Sequence, residues 1–313
     1  MREPLLEIKN LQKKYPIYGP LGKLFPPNTH HKAVSNMNLK LYEGETYGLV
    51  GESGCGKSTT GRSILGLVHP DSGEILYKGK DLTKLSDSEF RPLRRDLQMV
   101  FQDTLSSLNP RQRIGQLLEE PMIVQGIGDA NERRQKVLDI LKAVGLGEDP
   151  YFRYPHELSG GQVQRLGIAR ALIMNPEFVI ADEPISALDV SVRAQVLNLL
   201  SDMQKKRQIT YLFIAHDLSV MRFITDRIAV IHKGEIVEMA ETEELVTNPV
   251  HPYTRALLSA IPMPDPRHEQ SRKLLVYDPD MHDYKTNPPG WVEFAPEHYV
   301  LANEKEIEEW TKS

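Results

Sequence analysis

The chain has 313 residues, with 38 basic and 43 acidic side chains and a formal net charge of -5. That length accommodates one large domain with an appendage or two modest domains, and the slight acidic excess gives nucleic acid no electrostatic footprint to bind. No apolar run reaches membrane-spanning length, no signal-peptide core follows Met1-Arg2-Glu3-Pro4, and the single cysteine, Cys55, leaves no internal disulfide and no cysteine cluster for zinc or iron–sulfur, so a cytosolic protein is expected.

Short β-rich segments come first: Leu5 to Leu11, Ala33 to Leu41, Thr46 to Val50 and Gly73 to Tyr77. Between the first two, Pro16 to His31 is rich in proline and glycine and reads as a surface loop. Directly after the Thr46–Val50 strand stands Gly51-Glu52-Ser53-Gly54-Cys55-Gly56-Lys57-Ser58-Thr59, which satisfies the phosphate-loop pattern G-x-x-x-x-G-K-[ST]. The residues that follow, from Thr60, can open a helix. Strand, glycine-rich loop and helix are the context this motif requires: the glycines let successive N–H groups turn inward, and the helix start adds a field that favours phosphate. Lys57 is placed to reach the β- and γ-phosphates, and Ser58 to put a hydroxyl on Mg²⁺. Cys55, close to the helix start, is expected to have a favoured thiolate whose alkylation blocks nucleotide binding.

A capping-box pattern at Ser86-Asp87-Ser88-Glu89 predicts a short helix, followed by a strand over Leu97 to Phe101. From Arg113 to Gly147, Leu117, Leu118, Val137, Ile140, Leu141 and Val144 recur at helical spacing and predict an inserted helical subdomain. Leu158-Ser159-Gly160-Gly161-Gln162 then leads into a helix through Leu172, with Ser159 as N-cap and two glycines baring the first amides, a second anion-binding helix start. Phe178 to Ala181 is an apolar strand ending in Asp182-Glu183, at the carboxyl edge where parallel α/β sheets bind ligands. Asp182 suits Mg²⁺, and Glu183 suits orienting and deprotonating an attacking water. A helix from Val190, with Val192, Val196, Leu199, Leu200 and Met203 on its core face, and a strand over Tyr211 to Ala215 give βαβ order and a parallel sheet. Arg227 to Ile231 and Glu235 to Met239 form two further strands joined through Lys233-Gly234. Beyond Pro249 prolines are frequent, and the tail from Pro262 to Ser313 shows little periodicity until a short helix over Glu304 to Trp310.

The phosphate loop, Gln102 after an apolar strand, Leu158 to Gln162, Asp182-Glu183, Ser186-Ala187-Leu188-Asp189 and His216 occur in the order found in ATP-binding cassette (ABC) ATPases. The chain resembles that family over roughly Leu5 to Met239, and its Leu-Ser-Gly-Gly-Gln run is highly specific for it. The resemblance implies an α/β fold: a P-loop NTPase core of ABC type with an N-terminal antiparallel β subdomain, a helical subdomain at about 113–160 and a Pro-rich C-terminal extension. It divides the chain into an ATPase domain over 1–247 and an extension over 248–313. By motif position it implies that Tyr15 stacks on adenine, that Gln102 senses Mg²⁺ and water, that His216 contacts the γ-phosphate, and that Asp189 communicates across a dimer. It further implies that two cassettes pair head to tail, ATP lying between the phosphate loop of one and the signature of the other.

Asn248-Pro249-Val250-His251-Pro252-Tyr253-Thr254-Arg255-Ala256-Leu257-Leu258-Ser259-Ala260-Ile261-Pro262 resembles the C-terminal hallmark of ATPases that drive oligopeptide and dipeptide importers, and Arg153-Tyr154-Pro155-His156-Glu157 agrees. Importers of nickel, glutathione and other small solutes share these features. The resemblance implies a paralogous ATPase, two integral-membrane permease subunits and an extracytoplasmic peptide-binding protein as partners, and a peripheral place on the cytoplasmic membrane face. A soluble cassette ATPase with no transport role is a different class, but such proteins usually carry two cassettes and this chain has one set of motifs. Many relatives hold an iron–sulfur centre through cysteines in the extension. This chain has none there, and His251, His268, His282 and His298 are expected to be scattered surface residues.

Overall fold

Apolar side chains pointing alternately to the two faces along six of its eight strands give the main sheet a separate core on each face. The computed structural model describes residues 2–18, 29–186, 188–261 and 274–310. Most of the expected loop between Pro16 and His31, Ala187, part of the proline-rich tail and His268 lie outside the described residues. Strands β3 (Thr46–Val50), β6 (Leu97–Val100), β7 (Phe178–Asp182), β8 (Thr210–Ala215), β9 (Arg227–His232), β10 (Glu235–Glu241), β11 (Gly290–Ala295) and β12 (His298–Ala302) are arranged β11-β12-β10-β9-β3-β8-β7-β6. β6, β7, β8, β3 and β9 run parallel, as the βαβ order predicts.

The pleat sends Val50, Val179, Ala181, Tyr211, Phe213 and Val230 into one core. Tyr47, Leu49, Phe178, Ile180, Leu212, Ile214 and Ile231 enter the other. The second core is covered by an antiparallel sheet of β2 (Thr29–Leu41), β1 (Leu6–Ile17), β4 (Ser72–Tyr77) and β5 (Lys80–Asp81), in that order. The first is covered by helices, among them α3 (Ile114–Val124), α4 (Ala130–Ala143), α5 (Gly160–Leu172) and α6 (Val190–Arg207). All six residues that mark the inserted helical subdomain are buried in it. In α6, Val196, Leu200 and Met203 are buried and Val192 and Leu199 pack beside them, which is the predicted face. The short α2 (Asp87–Phe90) carries the predicted capping box between Ser86 and Glu89.

Three expectations change. β1 continues to Ile17 and β2 begins at Thr29, because the two arms of the proline-rich segment pair with each other, Tyr15 opposite His31. The tail is not without periodicity: β12 adds to the edge of the main sheet, with Val300 opposite Glu238, and β11 pairs with β12. Pro288, Pro289 and Pro296 sit before and between these strands, where no ladder amide is needed.

The histidines of the extension are the third change. His251 and His298 are buried, as is the side chain of His282, which is bonded to Glu306. His298 Nε2 lies 2.8 Å from Oε1 of Glu238, and its Nδ1 lies 3.3 Å from Glu244. Glu238 has no exposed surface and also accepts the amides of Val250 at 2.8 Å and His251 at 3.1 Å. One buried carboxylate thus ties β10, the chain leading into α9 (Pro252–Ser259) and β12 together.

Burial pushes the His298 imidazole down, but the Glu238 carboxylate, aided by Glu244, outweighs it and raises the pKa above the ordinary histidine value. Because the folded value is raised, the stability from this pair is fully present below the unfolded pKa of about 6.5 and is lost as pH rises through the folded value. His298→Ala leaves Glu238 buried without its cation and costs about 3 kcal/mol in urea unfolding at pH 6. The difference from the parent shrinks on going to alkaline pH, and amide exchange in β12 speeds up more than in β3.

Candidate active site

Four adjacent parallel strands, β3, β8, β7 and β6, bring their carboxyl ends to one edge of the sheet. The phosphate loop follows β3, His216 follows β8, Asp182 ends β7 with Glu183 next, and Gln102 stands two residues beyond β6. Segments far apart in sequence are therefore delivered to one place by topology alone.

In the loop, Gly54 and Gly56 take left-handed φ values of +82° and +108°, which keeps the backbone curled. Gly56 has a second constraint, since a Cβ there would meet the Ala33 carbonyl oxygen at 2.0 Å. Helix α1 (Lys57–Ile64) starts directly after it with no side-chain cap, leaving first-turn amides free for an anion. Lys57 is buried, and its Nζ donates to the carbonyls of Gly51 at 2.7 Å and Glu52 at 2.8 Å.

The Ser58 hydroxyl donates to Oδ1 of Asp182 at 2.9 Å. Burial pushes the Asp182 carboxyl pKa up and the neighbouring Glu183 adds to that, against the opposing pull of Ser58 and Arg62. A hydroxyl and a carboxylate oxygen, with Gln102 lining the same cleft as Ser58, are hard donors of the kind Mg²⁺ takes while keeping waters and substrate phosphates as its other ligands. Among the described residues no group of three or more His, Cys, Asp or Glu side chains is arranged to hold a metal ion.

Glu183 is the strained residue of the site. Its φ of +46° lies in the left-handed region that a long side chain adopts at a cost of roughly 1 kcal/mol or more. Its amide donates to Ile214 O at 2.9 Å, and its carbonyl accepts from the Ser186 amide at 3.3 Å and hydroxyl at 3.1 Å. The carboxylate is thereby turned towards the phosphate loop. Its Oε2 accepts the Gln102 amide at 2.9 Å and lies 3.4 Å from His216 Nδ1.

Tyr15, Ser53, Gly54, Gly56, Lys57, Ser58, Thr59, Gln102, Glu183 and His216 line one cleft of about 430 Å³, together with His31 and Ala33. Gly51, Glu52 and Cys55 shape the loop from behind and do not line it, and Asp182 stands beneath Ser58. Tyr15 is at the rim with 38% of its surface exposed, a flat ring open to a base. A larger open hollow of about 1250 Å³ lies at the opposite edge, around the starts of β3 and β9, and contains none of the motif residues.

The signature residues are elsewhere. Ser159 caps α5, as predicted, and also shares a capping box with Gln162; Ser159 and Gly160 are exposed. None of Ser159, Gly160, Gly161 and Gln162 lines the cleft. Asp189 is exposed before α6 and makes no side-chain cap, so it too faces outward. The sequence reading missed a buried link between these regions: Thr104 Oγ1, two residues after Gln102, donates to Gln164 Oε1 on α5 at 2.9 Å. Gly167 gives Thr104 its room, since a Cβ there would meet the threonine at 2.5 Å.

Cys55 departs from the expected activated thiol. It is buried, and burial pushes its pKa up despite Lys57, whose Nζ is 3.7 Å from Sγ.

Phosphate loop, strand-end carboxylates and an outward-facing signature on a cassette-shaped sheet define an ATPase of the ABC class. The ABC transporter model matches residues 34–186, and the model for the C-terminal region of oligopeptide and dipeptide transporters matches residues 237–290. The chain is 54% identical over 314 residues to the oligopeptide transport ATP-binding protein OppF of Streptococcus pyogenes, covering 100% of this chain and 99% of that protein. It is 48% identical to the dipeptide transport ATP-binding protein DppF of Lactococcus lactis, with 100% and 99% covered. Among solved structures, a dimeric ATP-binding cassette, MJ0796, in a post-hydrolysis state bound to ADP and Pi, superposes with a TM-score of 0.67 at 33% identity, covering 76% of this chain and 98% of that one. The chain belongs to the ABC transporter ATPases, in the branch of the oligopeptide and dipeptide transport ATP-binding proteins.

The buried thiol gives a direct check. At pH 7, iodoacetamide modifies Cys55 in the folded chain at least tenfold more slowly than in the urea-unfolded chain, followed by mass spectrometry. Equal rates contradict the buried, raised-pKa thiol.

Proposed function

We propose that this chain is the ATP-hydrolysing subunit of an importer of oligopeptides or dipeptides. In this reading it sits peripherally on the cytoplasmic face of the membrane. It pairs head to tail with a paralogous ATPase and acts with two integral-membrane permeases and an extracytoplasmic peptide-binding protein. The observation that carries the reading is the Glu183 carboxylate, steered by Gln102 and His216 into the cleft that holds Lys57 and Ser58.

ATP places its phosphates against the amides of Ser53 to Thr59, with Lys57 neutralising charge on the β- and γ-groups and Tyr15 under the adenine. Ser58, Asp182 and Gln102 would hold Mg²⁺, which would supply charge neutralisation to the phosphates. Glu183 Oε2 takes a proton from a water lined up with the γ-phosphorus. The new O–P bond forms as the bond to the bridging oxygen breaks, and ADP leaves with the electron pair. His216 contacts the γ-phosphate from the other side of the same carboxylate.

The outward position of Ser159 to Gln162 and of Asp189 supports a site completed by a second subunit. An exposed helix start offers its amides to a phosphate held on a facing cassette. The link from Thr104 to Gln164 supports coupling, because movement of the Gln102 loop must pull on the signature helix. Phe101 and Leu105, exposed beside Gln102, and Phe152, exposed in the helical region, supply apolar surface for a membrane partner. No helix among the described residues is long and apolar enough to cross a membrane, so a pore would come from other chains.

Glu183→Gln keeps Mg-ATP binding and lowers steady-state turnover by about 10²- to 10⁴-fold, measured by phosphate release from the assembled complex. Unchanged turnover removes Glu183 as the base. Affinity capture of the tagged chain from solubilised membranes recovers two multi-span subunits and a second cassette, and capture of no integral-membrane protein contradicts the transport role.

A further inference from the structure

The first turn of α9 is held in place by its own sequence. Pro252 occupies the first helical position, where no amide donor is needed. His251 Nδ1 accepts the Tyr253 amide at 3.1 Å, and the His251 amide is held by Glu238. The Tyr253 ring is buried, 4.3 Å from the ring of His232 at the end of β9, the strand beside β3. From there the Tyr253 hydroxyl accepts the backbone amide of Glu52, inside the phosphate loop, at 3.2 Å.

Glu52 is therefore fastened at both ends, its amide by Tyr253 and its carbonyl by Lys57. The entry to the loop has no slack, since a Cβ on Gly51 would meet the Ile231 carbonyl at 2.1 Å. Behind Tyr253 the tail closes the packing. Tyr277 contacts the Tyr253 ring at 5.2 Å, and Trp310, in α10 (Glu304–Trp310), contacts His251 at 5.5 Å. Burial pushes the Tyr253 phenol pKa up, so the hydroxyl stays protonated.

We infer that Tyr253 is a positioning residue for the nucleotide site: its hydroxyl pre-aims the phosphate loop, and the C-terminal tail, packed on its ring, keeps it there. The inference rests on the ATPase reading above. A loop already aimed binds phosphate without first losing conformational freedom, so the anchor acts on affinity and not on the chemical step.

The test uses the full chain and a fluorescent ATP analogue with Mg²⁺. Tyr253→Phe retains the ring, removes the acceptor and weakens binding about three- to tenfold, the range of one net hydrogen bond. In the assembled complex the same variant raises KM by a similar factor with kcat within twofold. Tyr277→Phe, altered in the same ring cluster, binds as the parent does. Parental affinity in Tyr253→Phe, whatever its thermal stability, overturns the inference while leaving the ATPase reading intact. A parent chain that itself fails to bind removes the ATPase reading instead. Should Tyr253→Phe not fold, amide exchange at Glu52 decides: Tyr277→Ala, which keeps the hydroxyl but uncovers the ring, accelerates that exchange at least fivefold, and an unchanged rate overturns the inference.

Discussion

Everything in the site depends on four parallel strands ending at one edge. β3, β8, β7 and β6 are neighbours, so a lysine, a histidine, a carboxylate and a glutamine separated by as many as 159 positions, from Lys57 to His216, share one cleft, with Asp182 bonded to Ser58 at its wall. The constraint is stiff because the strands are buried on both faces: Phe178 to Ala181 and Leu212 to Ile214 have no exposed surface. Shifting any of these strands by one residue would exchange the two cores and turn a reactive end away from the cleft.

Upon this rigid edge sit parts with more freedom. Glu183 holds a costly backbone conformation, braced by Ile214 and Ser186, and its carboxylate is shared between Gln102 and His216. The Gln102 loop continues to Thr104 and so to α5, whose exposed start carries the signature. From the other direction, Glu238 and Tyr253 bind the C-terminal region to the sheet and to the phosphate loop. The cleft is thus wired to two surfaces outside it, one facing a second cassette in the proposed assembly and one closed by the chain's own tail.

Local chemistry was legible and long-range pairing was not. Thr46 to Val50 announces itself as a buried strand, Ser86 as an N-cap with its partner three residues on, Ser159 as an N-cap, and the β7 carboxylates as a strand end, because each signal is complete within a few residues. His31 and Ala33 carry no such signal; they reach the cleft only because β2 pairs with β1 through a segment whose composition reads as loop. β11 and β12 are six- and five-residue strands whose stability comes from joining β10 through β12, about sixty residues later in the chain than β10. The histidines of the extension read as surface residues because their scattered spacing suggests no common partner. Burial of His298 is possible only through Glu238, a partner that sequence spacing does not indicate. The raised pKa of Cys55 has the same origin, since a helix start suggests an activated thiol and only the packing around it shows otherwise.

The central claim is that the terminal phosphates of ATP are gripped by the curled backbone around Lys57. Calorimetric titration of Mg-ATP into the full chain and into Lys57→Ala tests it most directly. The account predicts saturable one-site binding by the parent and at least a tenfold loss of affinity in the variant. Equal affinity in the two proteins, or no binding by the parent, would contradict it.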